Sequence, residues 1–412
     1  MQSARTDGRK ASLLLFLMIF TVYSFVYMTK NCYSAAMASI VAEGVMTKTE
    51  TGVIAAAFYV VYAPFQILGG VAADRYPPSL LILLGMLGAG TCNLLVYFTQ
   101  DYVAMLVIWA VNGVLQFGIW PSVFKIVATE LREEHRLRGI VYISLSSTAG
   151  LLLSYLSAIF IADWKDNFLL CAAILYSLAL AFFLGYRRLS PAIGTEGRIS
   201  PAPPPRSVRH GGGTLFLLLR AGVPLLLLVS LTQNLLNLGI KAVAPVMLME
   251  SYAGLSPAMA NGMNLLLVLS AVLGIFLSGA PVFRRFSPPA VLCFFSLCAL
   301  PLLFAVAEVG RAEVLLVLGA LSLLAVSSSA TAVFFSQVAR FFDRFHCAAT
   351  LSGLFNCMAS LGIVLANTLF NYIAQTQGWR TTALCWLALA ALSFVASAVA
   401  VPVWRRFVRA HG

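Results

Sequence analysis

Long apolar runs separated by short polar breaks dominate this chain. A helix needs ~20 mostly apolar residues to cross the hydrocarbon core of a bilayer, and each run is about that long. Because 60% of the residues are hydrophobic and only 10% are charged, the composition is unlike that of a soluble domain. The sequence predicts an all-α membrane protein with twelve transmembrane helices. The runs lie at residues 12–40, 52–73, 80–98, 103–124, 140–161, 168–186, 221–249, 258–280, 290–307, 314–338, 348–373 and 381–404.

The lysines and arginines predict how the chain is oriented in the membrane. Of the 27, two lie within the predicted helices, at Lys30 and Lys241, and most others fall in the breaks on one side. The opposite side carries only Lys48, Lys165, Arg311 and Arg380. Basic residues mark cytoplasmic loops, so we predict a multi-pass protein of a cell membrane, of the bacterial inner-membrane type, with both termini cytoplasmic. The same asymmetry explains the net charge of +12 without a nucleic-acid partner.

A polar stretch in the middle divides the chain into two halves. "RRLSPAIGTEGRISPAPPPRSVRHGGG" is rich in Pro, Gly and Arg and has no apolar periodicity, which is typical of a linker. We expect six-helix halves at 1–186 and 221–412, joined by a cytoplasmic linker at 187–220. Each half begins with a long helix that carries one lysine. Repeated halves with a binding site near the bilayer midplane are typical of secondary transporters, in which the halves move to give alternating access.

Polar side chains recur at helical spacing on several predicted helices. The first helix carries Tyr23, Tyr27, Lys30, Asn31 and Ser34; the second carries Tyr59, Tyr62 and Gln66; the seventh carries Ser230, Gln233, Asn234, Asn237 and Lys241; and the eleventh includes Asn356. Lipid provides no hydrogen bonds, so these faces turn inward. They either hold helices together or line a cavity. For a cavity, we predict that the substrate-binding residues are Tyr27, Lys30, Asn31, Gln233, Asn237, Lys241 and Asn356.

The two intramembrane lysines constrain the chemistry of that cavity. A charged lysine at a helix centre costs ~2.5–3.5 kcal/mol on insertion scales, so it needs water, a partner or a ligand. By helical rise, Glu250 lies roughly 14 Å along the axis from Lys241, and Glu43 lies roughly 20 Å from Lys30. Either each lysine extends to the headgroups, or a positive cavity without a counter-charge binds a small anion. Because no intramembrane acid can relay protons, exchange of one anion for another is the simpler mechanism.

A short motif after the second run suggests a family. Gly70-x-x-x-Asp74-Arg75 resembles the signature between helices two and three of the major facilitator superfamily. The resemblance implies the major facilitator fold, with two pseudo-symmetric six-helix halves, and it implies that Gly70, Asp74 and Arg75 lock a cytoplasmic gate. "YPPS" replaces the later part of the signature, and Phe283 stands where the second copy has its acid.

Longer stretches resemble one branch of that superfamily, the organophosphate:phosphate antiporters. They are "TKNCYSAAM" with "VAEG", "FGIWPSVFKIVATE" with "RGIVYISLSSTAG", and "AATLSGLFNCMASLG". Thr29 and Asn237 stand where that family has phosphate-binding arginines, Ser147 or a neighbour replaces a cavity histidine, and Lys30 matches the lysine after the first arginine. The resemblance therefore implies an antiporter of a small organic anion, an organophosphate or a carboxylate.

Two other functions stay open, whereas enzyme activity is not expected. The lysines could be structural in a transporter of neutral solutes or drugs, or the chain could be an anion receptor with the shape of a transporter. All four histidines fall in polar segments, and the chain has no H-E-x-x-H, P-loop or G-x-G-x-x-G motif. We expect no enzyme, no cofactor, no metal and no disulfide framework. Its partners are then a small-molecule substrate and the lipid bilayer, and the resemblance implies a monomer.

Overall fold

The computed structural model describes residues 2–143, 145–161, 163–193, 213–278, 280–345 and 348–411, which form helices joined by short turns. No strand occurs in these ranges, so the all-α prediction is confirmed. Within the same ranges, nine helices are long and apolar enough to cross a membrane. The predicted number of twelve is consistent with these helices.

The α-helices are numbered here in chain order. They are α1 (Gln2–Ala42), α2 (Lys48–Arg75), α3 (Pro78–Tyr97), α4 (Tyr102–Leu115), α5 (Ile119–Thr129), α6 (Glu133–Tyr142), α7 (Leu145–Phe160), α8 (Trp164–Ala192), α9 (Gly213–Arg220), α10 (Val223–Asn234), α11 (Ile240–Ser251), α12 (Pro257–Ser278), α13 (Pro288–Val306), α14 (Val314–Phe341), α15 (Ala348–Leu365) and α16 (Asn371–His411). Two π-helical segments, Leu235–Gly239 and Ala366–Phe370, continue α10 and α15. Within α16, Gly378 has φ 83° and interrupts the helix between the last two predicted runs.

Two helix ends differ from the sequence expectation. The gate signature was expected in a loop, but α2 continues through Arg75, so the signature lies on its last turns. The chain leaves the helix at Tyr76 because the following residue, Pro77, disfavours helical geometry before it. In the predicted linker, α8 extends to Ala192 and α9 forms at 213–220, while residues 194–212 lie outside the described residues.

Contacts divide the chain into two compact units. The first unit comprises Met1–Ile40 and Ala57–Val208, and the second comprises Val41–Ala56 and Arg209–Gly412. The second unit therefore includes the end of α1, the turn that follows it and the first residues of α2. The boundaries of the predicted halves stay a prediction.

Aromatic rings and glycines pack the core of the first unit. The Trp109 ring lies 5.3 Å from the Tyr33 ring and 5.9 Å from the Phe168 ring, measured between centroids. A Cβ added at Gly113 would lie 2.4 Å from the carbonyl oxygen of Phe58, so α4 packs directly on the backbone of α2. Close approach of this kind gives membrane helices the dispersion contacts that stabilise them in lipid.

In the second unit, a glycine likewise brings α12 close to the backbone of α14. A Cβ at Gly274 would lie 2.1 Å from the carbonyl oxygen of Val326. At the far end of this unit, the rings of Phe342 and Phe407 stack with centroids 5.8 Å apart. Backbone contact at Gly274 therefore sets the distance between two long helices.

An ionic contact holds the start of α2 within the second unit. The Lys48 ammonium lies 2.8 Å from the carboxylate of Glu250, at the end of α11. The same carboxylate oxygen accepts a hydrogen bond of 2.7 Å from the Trp379 indole, and Lys48 lies 5.7 Å from the centre of the Trp379 ring. The amide of Thr49 donates to Gln375 at 2.9 Å. We call the group of Lys48, Glu250 and Trp379 the latch.

The close approach at Gly274 is directly testable. Gly274→Ala places a methyl group against a backbone oxygen that cannot move aside, and overpacking of this kind costs about 1–3 kcal/mol. We expect a lower melting temperature of the purified protein. Gly319→Ala is the matched control, because that glycine is helical and an added Cβ meets nothing within 4 Å. Equal melting temperatures for the two variants would contradict the proposed packing.

The latch predicts a local change in dynamics. Glu250→Gln removes the ion pair with Lys48, so we expect faster hydrogen–deuterium exchange at residues 44–52. Glu308→Gln is the control, because Glu308 pairs with Arg311 at 3.8 Å and Arg380 at 3.5 Å on the exposed surface, where ion pairs contribute little. Unchanged exchange at residues 44–52 in Glu250→Gln would show that the latch does not hold this segment.

Candidate functional site

Four aromatic rings surround the lysine of α1. The Lys30 ammonium lies 3.9 Å from the centre of the Tyr62 ring and 5.0, 5.1 and 5.4 Å from those of Tyr59, Phe58 and Tyr27. Three of these rings belong to α2 and one to α1, and all lie in the first unit. We call this group the aromatic cage.

Neighbouring helices fix the walls of the cage. A Cβ at Gly150 on α7 would lie 2.2 Å from the carbonyl oxygen of Ser24 and 2.7 Å from the Cβ of Tyr27. Glycine therefore lets α7 press on the stretch of α1 that carries Tyr27. On α2, the Gln66 amide donates a 2.7 Å hydrogen bond to the Tyr62 hydroxyl and orients that ring. The cage thus rests on three helices.

The cage changes how the charge of Lys30 is accommodated. No carboxylate in the described part of the chain pairs with Lys30. The electron-rich ring faces attract the ammonium instead, and such contacts contribute about 2 kcal/mol when they are shielded from water. Lys30 is half-buried and the rings of Tyr27 and Tyr59 are also partly accessible. The site therefore offers a cation beside phenolic hydroxyls that can donate hydrogen bonds.

The sequence missed part of this arrangement. Tyr59 and Tyr62 were expected to face inward, but their contact with Lys30 depends on how α1 and α2 pack. Phe58 carried no signal because a phenylalanine in an apolar run is indistinguishable from a core residue. Asn31 is placed next to the cage, is buried, and donates its amide to the carbonyl of Tyr27 at 2.8 Å. Its side-chain oxygen is a hydrogen-bond acceptor.

The second lysine forms a separate cluster in the second unit. Lys241 is only 7% exposed, and its ammonium donates to the side-chain oxygen of Asn237, one turn earlier on the same helix. Side chains on a helix lean toward its N-terminus. The Lys241 ammonium therefore points back toward the π segment and away from the C-terminal end of α11. This conformation is the opposite of an extension toward the headgroups at Glu250. The Asn264 amide on α12 donates to the carbonyl of Lys241 at 2.9 Å.

The lysine–asparagine cluster (Lys241, Asn237 and Asn264) adjoins irregular helix. Asn237 lies in the π-helical segment Leu235–Gly239, and a Cβ at Gly239 would lie 2.4 Å from the Cβ of Ala366, the first residue of the other π segment. π-Helical turns are frequent at functional sites. The side-chain oxygens of Asn264, Asn367 and Asn371 are buried and receive no hydrogen bond from described residues, so these acceptors suit a ligand or water.

Two of the predicted binding residues have different surroundings. The amide of Gln233 donates to the hydroxyls of Ser296 at 2.9 Å and Ser393 at 3.0 Å in the core of the second unit. This network joins α10, α13 and α16, which corresponds to the helix-holding alternative. Asn356 is exposed on α15. Asn264 was overlooked, although a single amide in an apolar run is the same signal that identified the other polar positions.

The gate residues lie on the last turns of α2. Gly70 has open space around its Cα, and Arg75 is exposed. The side chain of Asp74 lies outside the described part of the structure, so the predicted lock between Asp74 and Arg75 stays a prediction. The Lys125 ammonium of α5 donates to the carbonyl of Ala73, where it complements the negative end of the helix dipole.

The described residues include no group of three or more His, Cys, Asp or Glu side chains that could hold a metal ion. The aromatic cage of the first unit and the lysine–asparagine cluster of the second unit each consist of a cation with aromatic rings or amides. Groups of these kinds are able to bind and orient a small molecule.

Comparison with known proteins identifies the family. The profile of the Major Facilitator Superfamily matches residues 19–367. The membrane sensor protein UhpC of Salmonella typhimurium is 30% identical over 97 residues, which are 23% of this chain and 22% of that protein. The D-galactonate transporter of Escherichia coli O6:H1 is 26% identical over 214 residues, 51% of this chain and 48% of that protein. Each alignment therefore spans less than half of the relative's own length.

A solved structure shows the fold. The bacterial homologue of the human lysosomal transporter Spinster superposes with a TM-score of 0.77 at 14% identity, over 96% of this chain and 98% of that one. This superposition confirms the predicted fold class, and the family profile confirms the resemblance at the level of the superfamily. The chain belongs to the major facilitator superfamily and is a multi-pass membrane protein of the transporter fold, not an enzyme.

Proposed function

We propose that this protein is a secondary active transporter that exchanges small organic anions, organophosphates or carboxylates, by alternating access. Its location is then a cell membrane of the bacterial inner type, with cytoplasmic termini. The observation that carries this proposal is the ammonium of Lys30, which lies among aromatic rings with no described carboxylate beside it.

The aromatic cage accommodates the charge of Lys30 without neutralising it. Ring faces attract a cation through their quadrupoles and add no negative charge to the site. A carboxylate partner would instead cancel the field that attracts an anion. Tyr27 and Tyr59 add hydroxyl donors and an apolar surface for the body of an organic ligand. The site therefore favours an anion with an organic part over a bare inorganic ion.

The lysine–asparagine cluster supplies a second subsite of the same sign. Lys241 is held by Asn237 and buried, so its ammonium is positioned for a charge-assisted hydrogen bond. A ligand carboxylate or phosphate would displace none of the bonds that hold Asn264 to the backbone. We propose that Lys30 and Lys241 bind the anion and that Asn31, Asn237 and Asn264 orient it.

The names of relatives agree with this substrate class. D-Galactonate, named for the Escherichia coli relative, is a sugar carboxylate. The resemblance to organophosphate:phosphate antiporters points to the same charge. The other relative is named a sensor, so a protein that binds the anion without moving it is the second candidate. A third candidate is a transporter of neutral solutes. It is compatible with the cage because the rings would also stabilise a lysine that has only a structural role.

Ligand-induced stabilisation tests the anion subsites. The purified protein is heated with sugar phosphates, sugar carboxylates, inorganic phosphate or neutral sugars, because a ligand that binds only the folded state raises its melting temperature. We expect organic anions to raise it by at least about 2 °C, and we expect Lys30→Gln and Lys241→Gln to abolish that rise. Lys10→Gln, on the exposed start of α1, is the control with the same change in charge. Equal stabilisation of all variants by neutral sugars would instead support the neutral-solute transporter.

The Tyr62 ring separates a cation–π role from a hydroxyl role. Tyr62→Phe keeps the ring over Lys30 and loses only the bond from Gln66, whereas Tyr62→Leu removes the ring. Because the ring holds the ammonium in place through a cation–π contact, we expect Tyr62→Leu to weaken anion binding more than Tyr62→Phe does. Binding is measured by titration calorimetry in detergent. Equal losses in the two variants would show that the hydroxyl, not the ring, supports the site.

Flux through proteoliposomes then separates transport from sensing. Vesicles preloaded with the stabilising anion are mixed with the labelled anion outside, and an exchanger takes up label faster than vesicles loaded with buffer do. Binding without any uptake would favour the sensor. Uptake that does not depend on internal anion would retain transport but exclude obligatory exchange.

A further inference from the structure

Each unit has an apolar groove between two of its long helices. In the second unit, a cavity of about 510 Å³ lies between α13 and α16, with Ala290, Val291 and Phe294 on one wall and Arg405 at the rim. In the first unit, a cavity of about 450 Å³ lies between α3 and α8, with Ser79, Leu80 and Leu83 on one wall and Arg187 at the rim.

The two grooves repeat the same design in sequence. The walls on α3 and α13 follow a Pro-Pro pair, in "PPSLLILL" and "PPAVLCFF", and the lining positions are the first, second and fifth residues after that pair in both. The rim arginines belong to "YRRL" at 186–189 and "WRRF" at 404–407. In each pair of arginines the first lines the groove. The two grooves therefore share one arrangement, a guanidinium at the rim of an apolar channel, although the sequences around them differ.

This combination matches one kind of molecule. Leu80, Phe183 and Phe294 are exposed, so the grooves open to the surroundings of the helices, which in a membrane are acyl chains. A guanidinium donates paired hydrogen bonds to phosphate oxygens. Basic grooves between transmembrane helices on the cytoplasmic side bind anionic headgroups, and the predicted orientation puts both grooves on that side. We propose that each groove binds an acidic phospholipid, with one acyl chain along the apolar wall and the headgroup phosphate on Arg405 or Arg187.

The two sites differ in strength because, among the side chains that the structure describes, an acid adjoins only the groove of the first unit. In the first unit, the Tyr186 hydroxyl and the Ser190 hydroxyl, both in the groove lining, donate to the carboxylate of Glu130 at 2.6 and 2.9 Å. That carboxylate repels a phosphate and uses two hydroxyls that could bind it. The walls of the α13–α16 groove are almost wholly apolar apart from Arg405. The α13–α16 groove is therefore the tighter site.

Native mass spectrometry of the full chain in detergent tests this site with phosphatidylglycerol and phosphatidylcholine of identical acyl chains. We expect at least about fivefold tighter binding of phosphatidylglycerol, the effect of one basic residue at a charged lipid surface. Arg405→Gln removes that preference, and Arg406→Gln, with the same charge change but outside the groove, keeps it. Ala290→Leu narrows the channel, keeps the charge and weakens both lipids.

Three results would overturn the proposal. They are equal binding of the two lipids by the wild type, equal losses for Arg405→Gln and Arg406→Gln, and no effect of Ala290→Leu. The first would mean annular lipid only, and the second a diffuse attraction to surface charge. In the other groove, Arg187→Gln with Arg188→Gln as its control is expected to change the preference less than Arg405→Gln does. None of these measurements depends on the transported substrate, so the lipid sites and the proposed transport fail or stand separately.

Discussion

A cation within a membrane helix needs a neighbour that stabilises it, and at Lys30 that neighbour is a set of aromatic faces. An acid and an aromatic ring can both stabilise the buried ammonium, but they have opposite consequences for function. An acid would form a neutral ion pair with the lysine, and such a pair would not attract an anion. Removing either partner would then leave a buried charge unpaired. Rings leave a positive site whose charge remains available. The packing of α7 against Tyr27, and the distances from Lys30 to the rings of α2, position the walls of this cage.

Close backbone contact makes that packing possible. Gly113 and Gly150 let α4 and α7 approach the two helices that carry the cage, and Gly274 does the same for α12 and α14. Lipid gives no hydrophobic drive for helix association, so shape has to supply it. Hydrogen bonds between side chains add specificity where several helix packings would fit equally well in shape. The Gln233 amide, which donates to two serine hydroxyls, is an example. Polar residues in the apolar runs thus divide into two groups, one that joins helices and one that we propose to face a ligand.

Sequence alone separated these groups only in part. Apolar run length predicted the helices, because a bilayer imposes it, and Lys30 and Lys241 were conspicuous because charge is costly there. The partners of those lysines were not predictable, since they depend on helix rotation and contact between segments. Sequence analysis missed Phe58 and Asn264 for different reasons. Phe58 has no polar group that distinguishes it from a core residue. Asn264 has one, but many residues that only join helices have one as well. The π segment around Asn237 left no mark in composition or periodicity. For Asp74, the signature predicted a position in the loop after the second run, whereas the structure places the residue on the last turns of α2.

Helix α2 connects the cage to the latch. Its first residues, from Lys48 to Ala56, belong to the second unit, whereas Phe58, Tyr59 and Tyr62 belong to the first. By helical rise, Lys48 and Tyr59 are only roughly 16 Å apart on one continuous helix. Gly52 adds a second restraint, because a Cβ there would lie 2.2 Å from the carbonyl oxygen of Asn367 in a π segment. The contacts of Lys48 and Gly52 therefore restrain the first turns of α2, directly before the turns that carry the rings of the cage. In the proposed function, a ligand that changes the position of the rings around Lys30 acts on this same helix, so its binding energy can favour one conformation of α2 over another.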